Sequence, residues 1–309
     1  MRLSVAIPLL NEEAVLPELL RRVLAVLDTL PVGPHELVVV DDGSTDATPS
    51  ILAVAAAGDD RIRVVCLSRN FGHQAAITAA LDYARGDLIV VMDGDLQDQP
   101  EEIPRFLARH AEGFDVVYAQ RAVRSEAWPL RAAYYLFYRI FARLSRIAVP
   151  LDAGDFALMT RRVVVAMQAA PERNRYLRGL RAWVGFRQIG VPVARASRQG
   201  GTSKYSLLAL CRLALDGVFA FSTLPIRAAM AAGAVAVGIA TLFAAYAVYA
   251  RIFLGRSPAG FTSLILVITF LAGVNLFFLG VVGEYVGRVY AETKQRPLYV
   301  VDRVIGGRD

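Results

Sequence analysis

The sequence predicts an α/β domain built on a mostly parallel sheet, followed by an amphipathic helix and two membrane-spanning helices. Over the first 120 residues, runs of Val, Ile and Leu alternate with segments of helical spacing, a pattern typical of parallel strands that helices cover on both faces. Farther along, residues 228–250 and 257–283 contain no Asp, Glu, Lys or Arg. Each of these runs is longer than the ~20 residues that a helix needs to cross the hydrocarbon core of a membrane.

The elements of the α/β domain follow one another regularly. We predict five strands, at 3–7, 37–40, 62–67, 88–92 and 115–118. We predict helices between them, at 12–30, 46–57, 72–84 and 100–111. Because ligands of open parallel sheets bind beyond the carboxyl ends of the strands, the residues directly after each strand are the candidates for a functional site.

Composition divides the chain into four parts: a domain over 1–200, an amphipathic helix lying in the membrane interface over 201–227, a transmembrane hairpin over 228–283 and a tail over 284–309. Arg and Lys are more numerous on the flanks of the hairpin than in its connecting loop. The positive-inside rule therefore predicts a multi-pass protein of the inner (cytoplasmic) membrane, with the first domain and both termini in the cytoplasm.

The net charge of +6 reflects basic residues that concentrate between residues 121 and 227, next to the predicted membrane segments. This position suits anionic lipid head groups or phosphates. No nucleic-acid-binding motif accompanies the basic residues, so we expect no nucleic-acid partner.

Three acidic loops follow the first, second and fourth predicted strands: PLLNEE at 8–13, DDGSTD at 41–46 and DGDLQD at 93–98. Carboxylates that converge at one edge of a sheet repel one another unless a cation or hydrogen-bond donors lie among them. Asp93 and Asp95 form a D-x-D pair of hard oxygen ligands that suits Mg²⁺ or Mn²⁺, which keep coordination sites for a diphosphate. We therefore predict a nucleotide-sugar site, in which the metal bridges Asp95 to the diphosphate while Asp42 and the Glu12 region bind the nucleotide. A dehydrogenase and a P-loop kinase are excluded, because neither G-x-G-x-x-G after strand one nor G-x-x-x-x-G-K-[ST] is present.

The segments 8–13, 42–46, 68–72 (SRNFG) and 93–97 together resemble glycosyltransferase family 2, whose fold is the Rossmann-like GT-A fold. Within that family the chain is similar to polyprenyl-phosphate glycosyltransferases, particularly the bactoprenol (undecaprenyl phosphate) glucosyltransferases. The segment 198–205 fits their R-x-x-G-x-S-K-[YW] pattern, and 175–180, 183–186 and 283–288 also fit this subgroup. Two positions depart from the family: Leu10 replaces the usual Tyr, and Gly94 replaces the commoner Ala or Val, an exchange that we expect to be neutral.

The resemblance implies a role for each candidate residue. The metal ligands would be Asp93, Asp95 and Gln97. The nucleotide-sugar site would comprise Pro8, Leu10, Asn11, Glu12, Asp42, Ser44, Asn70 and Asp93. The lipid phosphate would be held by Arg124, Arg198 and Lys204. The catalytic residues would be Asp95, Asp155 and Arg121, of which Arg121 would bind phosphate.

Asp155 lies where inverting members of the family place a catalytic carboxylate. The implied acceptor is a phosphate monoester, whose second pKa is about 6, so little proton remains to be removed at neutral pH. We therefore expect Asp155 to orient ligands, and its loss to cost less activity than the loss of Asp95.

The implied reaction is an inverting transfer of a sugar from a UDP-sugar, with glucose as the first choice, to undecaprenyl phosphate. The resemblance also implies a homotetramer. Two alternatives share the donor domain: a processive polysaccharide synthase and a membrane scaffold that binds nucleotide sugars without turnover. Two helices do not easily form a pore and no Q-x-x-R-W motif is present, which argues against the synthase. The intact acidic cluster argues against the scaffold.

Overall fold

A computed structural model of the 309-residue chain describes residues 2–30, 33–121, 153–170, 172, 175–193, 224–253 and 260–307. These residues form two compact units. The first combines the described residues up to 193 with the C-terminal segment 296–307, and the second comprises 224–253 and 260–295. Most of the amphipathic helix that the sequence predicts over 201–227 lies outside the described residues.

The first unit is built on an eight-stranded sheet with the strand order β7-β5-β6-β4-β1-β2-β3-β8. The strands are β1 (Leu3–Leu9), β2 (Glu36–Asp41), β3 (Ile62–Leu67), β4 (Leu88–Val91), β5 (Val116–Arg121), β6 (Ala153–Thr160), β7 (Gln188–Val193) and β8 (Val301–Gly306). Six strands run in one direction, and β6 and β8 run opposite to their neighbours. The predicted mostly parallel sheet is therefore confirmed.

Helices cover both faces of this sheet. They are α1 (Leu16–Thr29), α2 (Thr48–Gly58), α3 (His73–Tyr83), α4 (Ile103–Ala111), α5 (Arg161–Gln168) and α6 (Leu177–Trp183). Successive side chains of a strand point to opposite faces, so Leu37 and Val39 of β2 join one apolar core with α1, α2 and α4, while Val38 and Val40 join a second core with α3, α5 and α6. This double covering explains why the strands read as continuous apolar runs.

Strand β8 forms one edge of the sheet and pairs with β3 in the antiparallel direction. The Ser68 backbone N–H donates to the Val300 carbonyl at 2.9 Å, and the Tyr299 hydroxyl donates to the Asp82 carboxylate of α3 at 2.7 Å. The C-terminal segment, for which the sequence predicted only a tail, thus forms part of the first unit.

The second unit contains two long helices, α7 (Leu224–Phe253) and α8 (Phe261–Thr293). Both are long and apolar enough to cross a membrane, with the apolar windows Ala229–Tyr246 and Phe270–Thr293. Large apolar side chains such as Phe243 and Phe277 are exposed, which is the arrangement that a lipid environment would cover. Helix α8 continues ten residues beyond the predicted transmembrane segment, and there Arg288 pairs with Glu284 at 2.8 Å.

Candidate active site

A cleft opens at the carboxyl edge of the sheet, where the loops after the parallel strands meet. It encloses about 390 Å³ of space that is continuous with solvent. Its lining comprises Asp93, Gln97, Asp98, Ala119, Gln120, Gly154, Asp155, Arg178 and Val193. Three of the predicted site residues thus line one cleft: Asp93, Gln97 and Asp155.

The loops after β1 and β2 are joined by reciprocal hydrogen bonds. The Asn11 backbone N–H donates to the Ser44 hydroxyl at 2.9 Å, and the Thr45 backbone N–H donates to the Asn11 side-chain oxygen at 2.8 Å. The Glu12 backbone N–H donates to the Thr48 hydroxyl at 3.0 Å. Asn11 adopts a positive φ of 54°, a conformation that Asn tolerates better than most residues. The side chains of Asn11 and Ser44 therefore hold the two loops together, and their predicted contacts with a nucleotide stay predictions.

Asp42 orders the next loop along the edge. Its side chain is buried, and its two carboxylate oxygens accept the backbone N–H groups of Phe71 and Gly72 at 2.7 and 2.9 Å. The loops also approach closely at Gly43, where a Cβ atom would lie 2.6 Å from the carbonyl carbon of Arg69. Asp42 thus fixes the SRNFG segment that includes the predicted nucleotide-binding residue Asn70.

The D-x-D turn is folded on itself. The Asp93 backbone N–H donates to the Asp98 carboxylate, and the Gln97 backbone N–H donates to the Asp95 carboxylate, each at 3.1 Å. Leu96 adopts a positive φ of 58° and is buried, which turns the chain back over the sheet.

His73, the first residue of α3, lies between two carboxylates of the cleft. Its Nε2 atom is 3.5 Å from the nearer Asp93 oxygen and 3.6 Å from the nearer Asp155 oxygen. Burial opposes protonation of His73, but the nearby negative charges of Asp155 and Asp93 outweigh it and raise the pKa of His73.

The donor set of this corner fits a divalent cation. One ligand atom from each of His73, Asp93 and Asp155 lies within 4.8 Å of the others, and carboxylate oxygens are the ligands that Mg²⁺ and Mn²⁺ prefer. Asp155 is already engaged by an arginine, and this cluster includes Asp93 but not Asp95 or Gln97, so the metal-binding role predicted for Asp93, Asp95 and Gln97 stays a prediction.

Asp155 is paired with Arg178 through two parallel hydrogen bonds. The Nε and Nη2 atoms of Arg178 donate to the two carboxylate oxygens at 2.7 and 2.5 Å, and the Asp155 side chain is only 6% exposed. Burial alone would raise the pKa of Asp155, but the two hydrogen bonds from Arg178 and the proximity of His73 hold the pKa far below its usual range. A general base works best when its pKa is near the operating pH, so this carboxylate is poorly suited to accept a proton.

Arg181, one helical turn after Arg178, is the second buried guanidinium of the site. It is 4% exposed, stacks on the Tyr118 ring at 5.1 Å and donates through Nη2 to the Gly154 carbonyl at 3.3 Å. Burial lowers the pKa of Arg181 to about 10, which leaves it charged at neutral pH.

The structure locates only some of the residues predicted for the site. Pro8 pairs with Val40 across β1 and β2, and Leu10 lies at the surface with 39% of its area exposed. Arg121 is the last residue of β5. Arg124, Arg198 and Lys204 lie outside the described residues, so the predicted proximity of lipid-phosphate ligands to Asp95 stays a prediction.

Sequence reasoning missed His73, Arg178 and Arg181. His73 is one of three histidines in the chain and directly follows the loop after β3, so the rule of strand ends could have found it. Arg178 lies within the segment 175–180 that resembles the family, but its pairing with Asp155 depends on the fold and has no local signal.

The sheet order and the acidic turn beside the cleft define a glycosyltransferase domain of the GT-A class. Residues 4–166 match the family model Glycosyl transferase family 2, and the chain belongs to that family.

Similar proteins extend over nearly the whole chain. A glycosyltransferase of Bacillus subtilis, YkcC, is 40% identical over 98% of this chain and 94% of its own length. A prophage bactoprenol glucosyl transferase homolog of Escherichia coli is 37% identical over 98% of this chain and 99% of its own. An undecaprenyl-phosphate 4-deoxy-4-formamido-L-arabinose transferase of Aeromonas hydrophila is 36% identical over 98% of this chain and 93% of its own.

Proposed function

We propose that this glycosyltransferase transfers a sugar from a nucleotide diphosphate donor to a polyprenyl phosphate, with inversion at the anomeric carbon. The observation that carries the proposal is the extent of the similarity to relatives whose names specify a bactoprenol or undecaprenyl-phosphate acceptor. It covers 98% of this chain and therefore includes the two long apolar helices as well as the sheet domain. The specific version to test first has undecaprenyl phosphate as the acceptor and UDP-glucose as the donor.

The geometry of the cleft supports a reaction that needs no general base. The acceptor phosphate oxygen attacks the anomeric carbon, and the bond from that carbon to the diphosphate breaks. A phosphate monoester is largely a dianion at neutral pH, so the attacking oxygen carries its own negative charge. This fits Asp155, which is held ionised by Arg178 and is unsuited to take up a proton.

Asp93 and Asp95, with Gln97, would hold Mg²⁺ or Mn²⁺, which would neutralise charge on the departing nucleoside diphosphate. The buried carboxylate of Asp42 keeps the loop around Asn70 in place beside this corner, where a nucleotide would bind.

The membrane part of the proposal rests on α7 and α8. We assign them as a transmembrane hairpin that keeps the sheet domain and both termini at the cytoplasmic face, in a homo-oligomer that the resemblance suggests is a tetramer. Arg121 and Arg124 would contact phosphate. Arg198, just before the predicted interfacial helix 201–227, and Lys204, within it, would hold the lipid phosphate at the bilayer surface. Anchoring both enzyme and acceptor in one membrane lowers the entropic cost of their encounter.

The decisive experiment incubates the full-length protein in membranes with undecaprenyl phosphate and a panel of labelled UDP-sugars and GDP-sugars. We expect one donor to label the extracted lipid, and we expect EDTA to abolish the labelling and added Mg²⁺ or Mn²⁺ to restore it. Membranes that contain the Asp95→Asn variant are the matched control. Absence of label from the lipid with every donor would overturn the proposal, and a labelled polymer would favour the processive synthase instead.

A further inference from the structure

Arg178 lines the cleft, and the more deeply buried Asp155 accepts two hydrogen bonds from the Arg178 guanidinium. The Arg178 side chain is 32% exposed, whereas Asp155 is nearly buried and engages both Nε and Nη2. None of the side chains or carbonyls in the described part of the chain accepts a hydrogen bond from the remaining nitrogen, Nη1. The guanidinium is therefore fixed in orientation and keeps donors for a ligand in the cleft.

The charges around the cleft indicate what that ligand is. Among the described residues that line it, Asp93, Asp98 and Asp155 are acidic and Arg178 is the single cation. A phosphate entering such a cleft would be repelled by the carboxylates unless a cation met it. The planar fork of an arginine matches phosphate geometry and forms strong charge-assisted hydrogen bonds.

Arg181 increases the positive charge behind this wall of the cleft. It is buried on the same helix, one turn from Arg178, and its contacts within the described residues are a carbonyl and an aromatic ring. Within the described residues Arg181 forms no ion pair with Asp155, so its charge adds to that of Arg178 and favours an anion at the exposed face of Arg178.

We propose that Arg178 is a phosphate-binding residue of this cleft and that Asp155 is the residue that positions it. The inference rests on the proposed function, and the phosphate belongs either to the nucleoside diphosphate of the donor or to the polyprenyl phosphate. It explains why a buried carboxylate occupies this place in a reaction that needs no base.

The test compares Arg178→Gln, Arg178→Lys and the control Arg162→Gln in the full-length protein. Arg162 pairs with Asp115, whose side chain is as buried as that of Asp155, but this pair lies at the opposite edge of the sheet. Calorimetry with UDP and with GDP in the presence of Mg²⁺ measures donor binding, and KM for undecaprenyl phosphate at saturating donor measures acceptor binding.

We expect Arg178→Gln to weaken one of these two quantities by about tenfold or more, the size of effect typical of a lost hydrogen bond to a charged group. Arg178→Lys should recover part of the loss, because it keeps the charge without the fork. A loss of UDP or GDP binding assigns Arg178 to the donor, and a loss confined to KM for the lipid assigns it to the acceptor. Arg162→Gln should leave both within about twofold, because the Arg162–Asp115 pair lies at the opposite edge of the sheet from the cleft.

Two results would overturn the proposal. The first is unchanged donor affinity and unchanged lipid KM in Arg178→Gln, or equal losses in the Arg162→Gln control. The second result concerns the positioning role of Asp155. Asp155→Asn should weaken the same quantity, donor affinity or lipid KM, as Arg178→Gln. The double variant should be little worse than either single variant, since the two residues act as one unit. Fully additive losses would contradict that role. The calorimetric arm needs no turnover, so a loss of UDP or GDP binding would assign Arg178 to the donor even if the wild-type protein glycosylates no polyprenyl phosphate.

Discussion

The two edges of the central sheet both contain a buried carboxylate held by arginine, and the pair at the carboxyl edge borders the cleft described above. At the amino edge, Glu36 accepts hydrogen bonds from the Ser4 hydroxyl at 2.5 Å, from Arg2 Nη2 at 2.8 Å and from the Arg85 backbone N–H at 2.6 Å. At the carboxyl edge, Asp155 is held by Arg178 in a comparable way.

The difference lies in what surrounds each pair. Glu36 is 4% exposed and receives its donors from three segments of the protein itself, which is the pattern of a structural network. The two arginines are about equally exposed, with 30% of the Arg2 side chain and 32% of the Arg178 side chain accessible, but Arg178 lines a cleft that Asp93 also lines. A buried ion pair alone thus indicates a structural role, and the adjoining cleft is what indicates a ligand. Substitutions at the two edges should accordingly affect different measurements.

The largest effect is expected at the carboxyl edge, from Asp95→Asn. This change removes a charged candidate metal ligand from a partly exposed position, so kcat should fall by at least about a hundredfold, as when a group that stabilises developing charge is lost. The melting temperature should change little. Asp155→Asn should reduce kcat less, because it acts through Arg178. Equal, near-total losses in the two variants across neutral pH would contradict this ranking and would indicate that Asp155 acts directly in the reaction.

At the amino edge, Glu36→Gln should affect stability instead of activity. Breaking a buried pair by removing one partner costs roughly 3 kcal/mol, and about 6–10 °C in melting temperature for a domain of this size. The kcat of the folded protein should stay within about twofold of the wild-type value, since the edge is remote from the cleft.

The matched control for Glu36→Gln is Arg21→Gln, which breaks the exposed pair with Glu18 on α1. We expect no measurable change in its melting temperature, because exposed pairs contribute little. A Glu36→Gln protein that melts like the wild type but has lost transfer activity would show that the amino edge takes part in function, and the comparison would fail.

The parts of this fold that the sequence predicted are those with a local signal. Strands β1 to β5 are rich in apolar residues because helices bury both of their faces. The acidic loops follow from the rule that ligands bind at strand ends. Strand β8 has no such signal: it is an edge strand with one neighbour, its residues Asp302 and Arg303 are exposed, and its partner β3 lies far away in the chain. Long-range pairing of this kind is decided by the assembled sheet.

The same distinction applies within the site. Asp93 and Asp95 are recognisable because two carboxylates flank one glycine directly after a strand. Arg178 lies 23 residues from Asp155 and on a different element, so that nothing in the local sequence marks their pairing. The neutrality of Gly94 stays a prediction, and the fold brings residues of β1 close to this position. The structure shows that a Cβ atom at position 94 would lie 2.2 Å from Cδ2 of Leu9 and 3.2 Å from the Pro8 carbonyl oxygen.

The smallest effect that we predict is a change in stability at Gly94. It tests whether the acidic turn packs tightly against β1 on the side that faces away from the cleft. Gly94→Ala should destabilise the protein by about 1–3 kcal/mol, because the new methyl group overpacks a core position. In Leu9→Val the conflicting Cδ atoms are absent, so the double variant should be more stable than the sum of the two single changes by at least about 0.5 kcal/mol. Thermal unfolding measures this coupling, and calorimetric binding of Mg²⁺ with UDP measures whether the turn keeps its geometry. Strict additivity would mean that Leu9 does not confine the turn. A favourable coupling would mean that Leu9 packs directly against Gly94. This packing would then hold the turn that contains Asp93 and Asp95 in place.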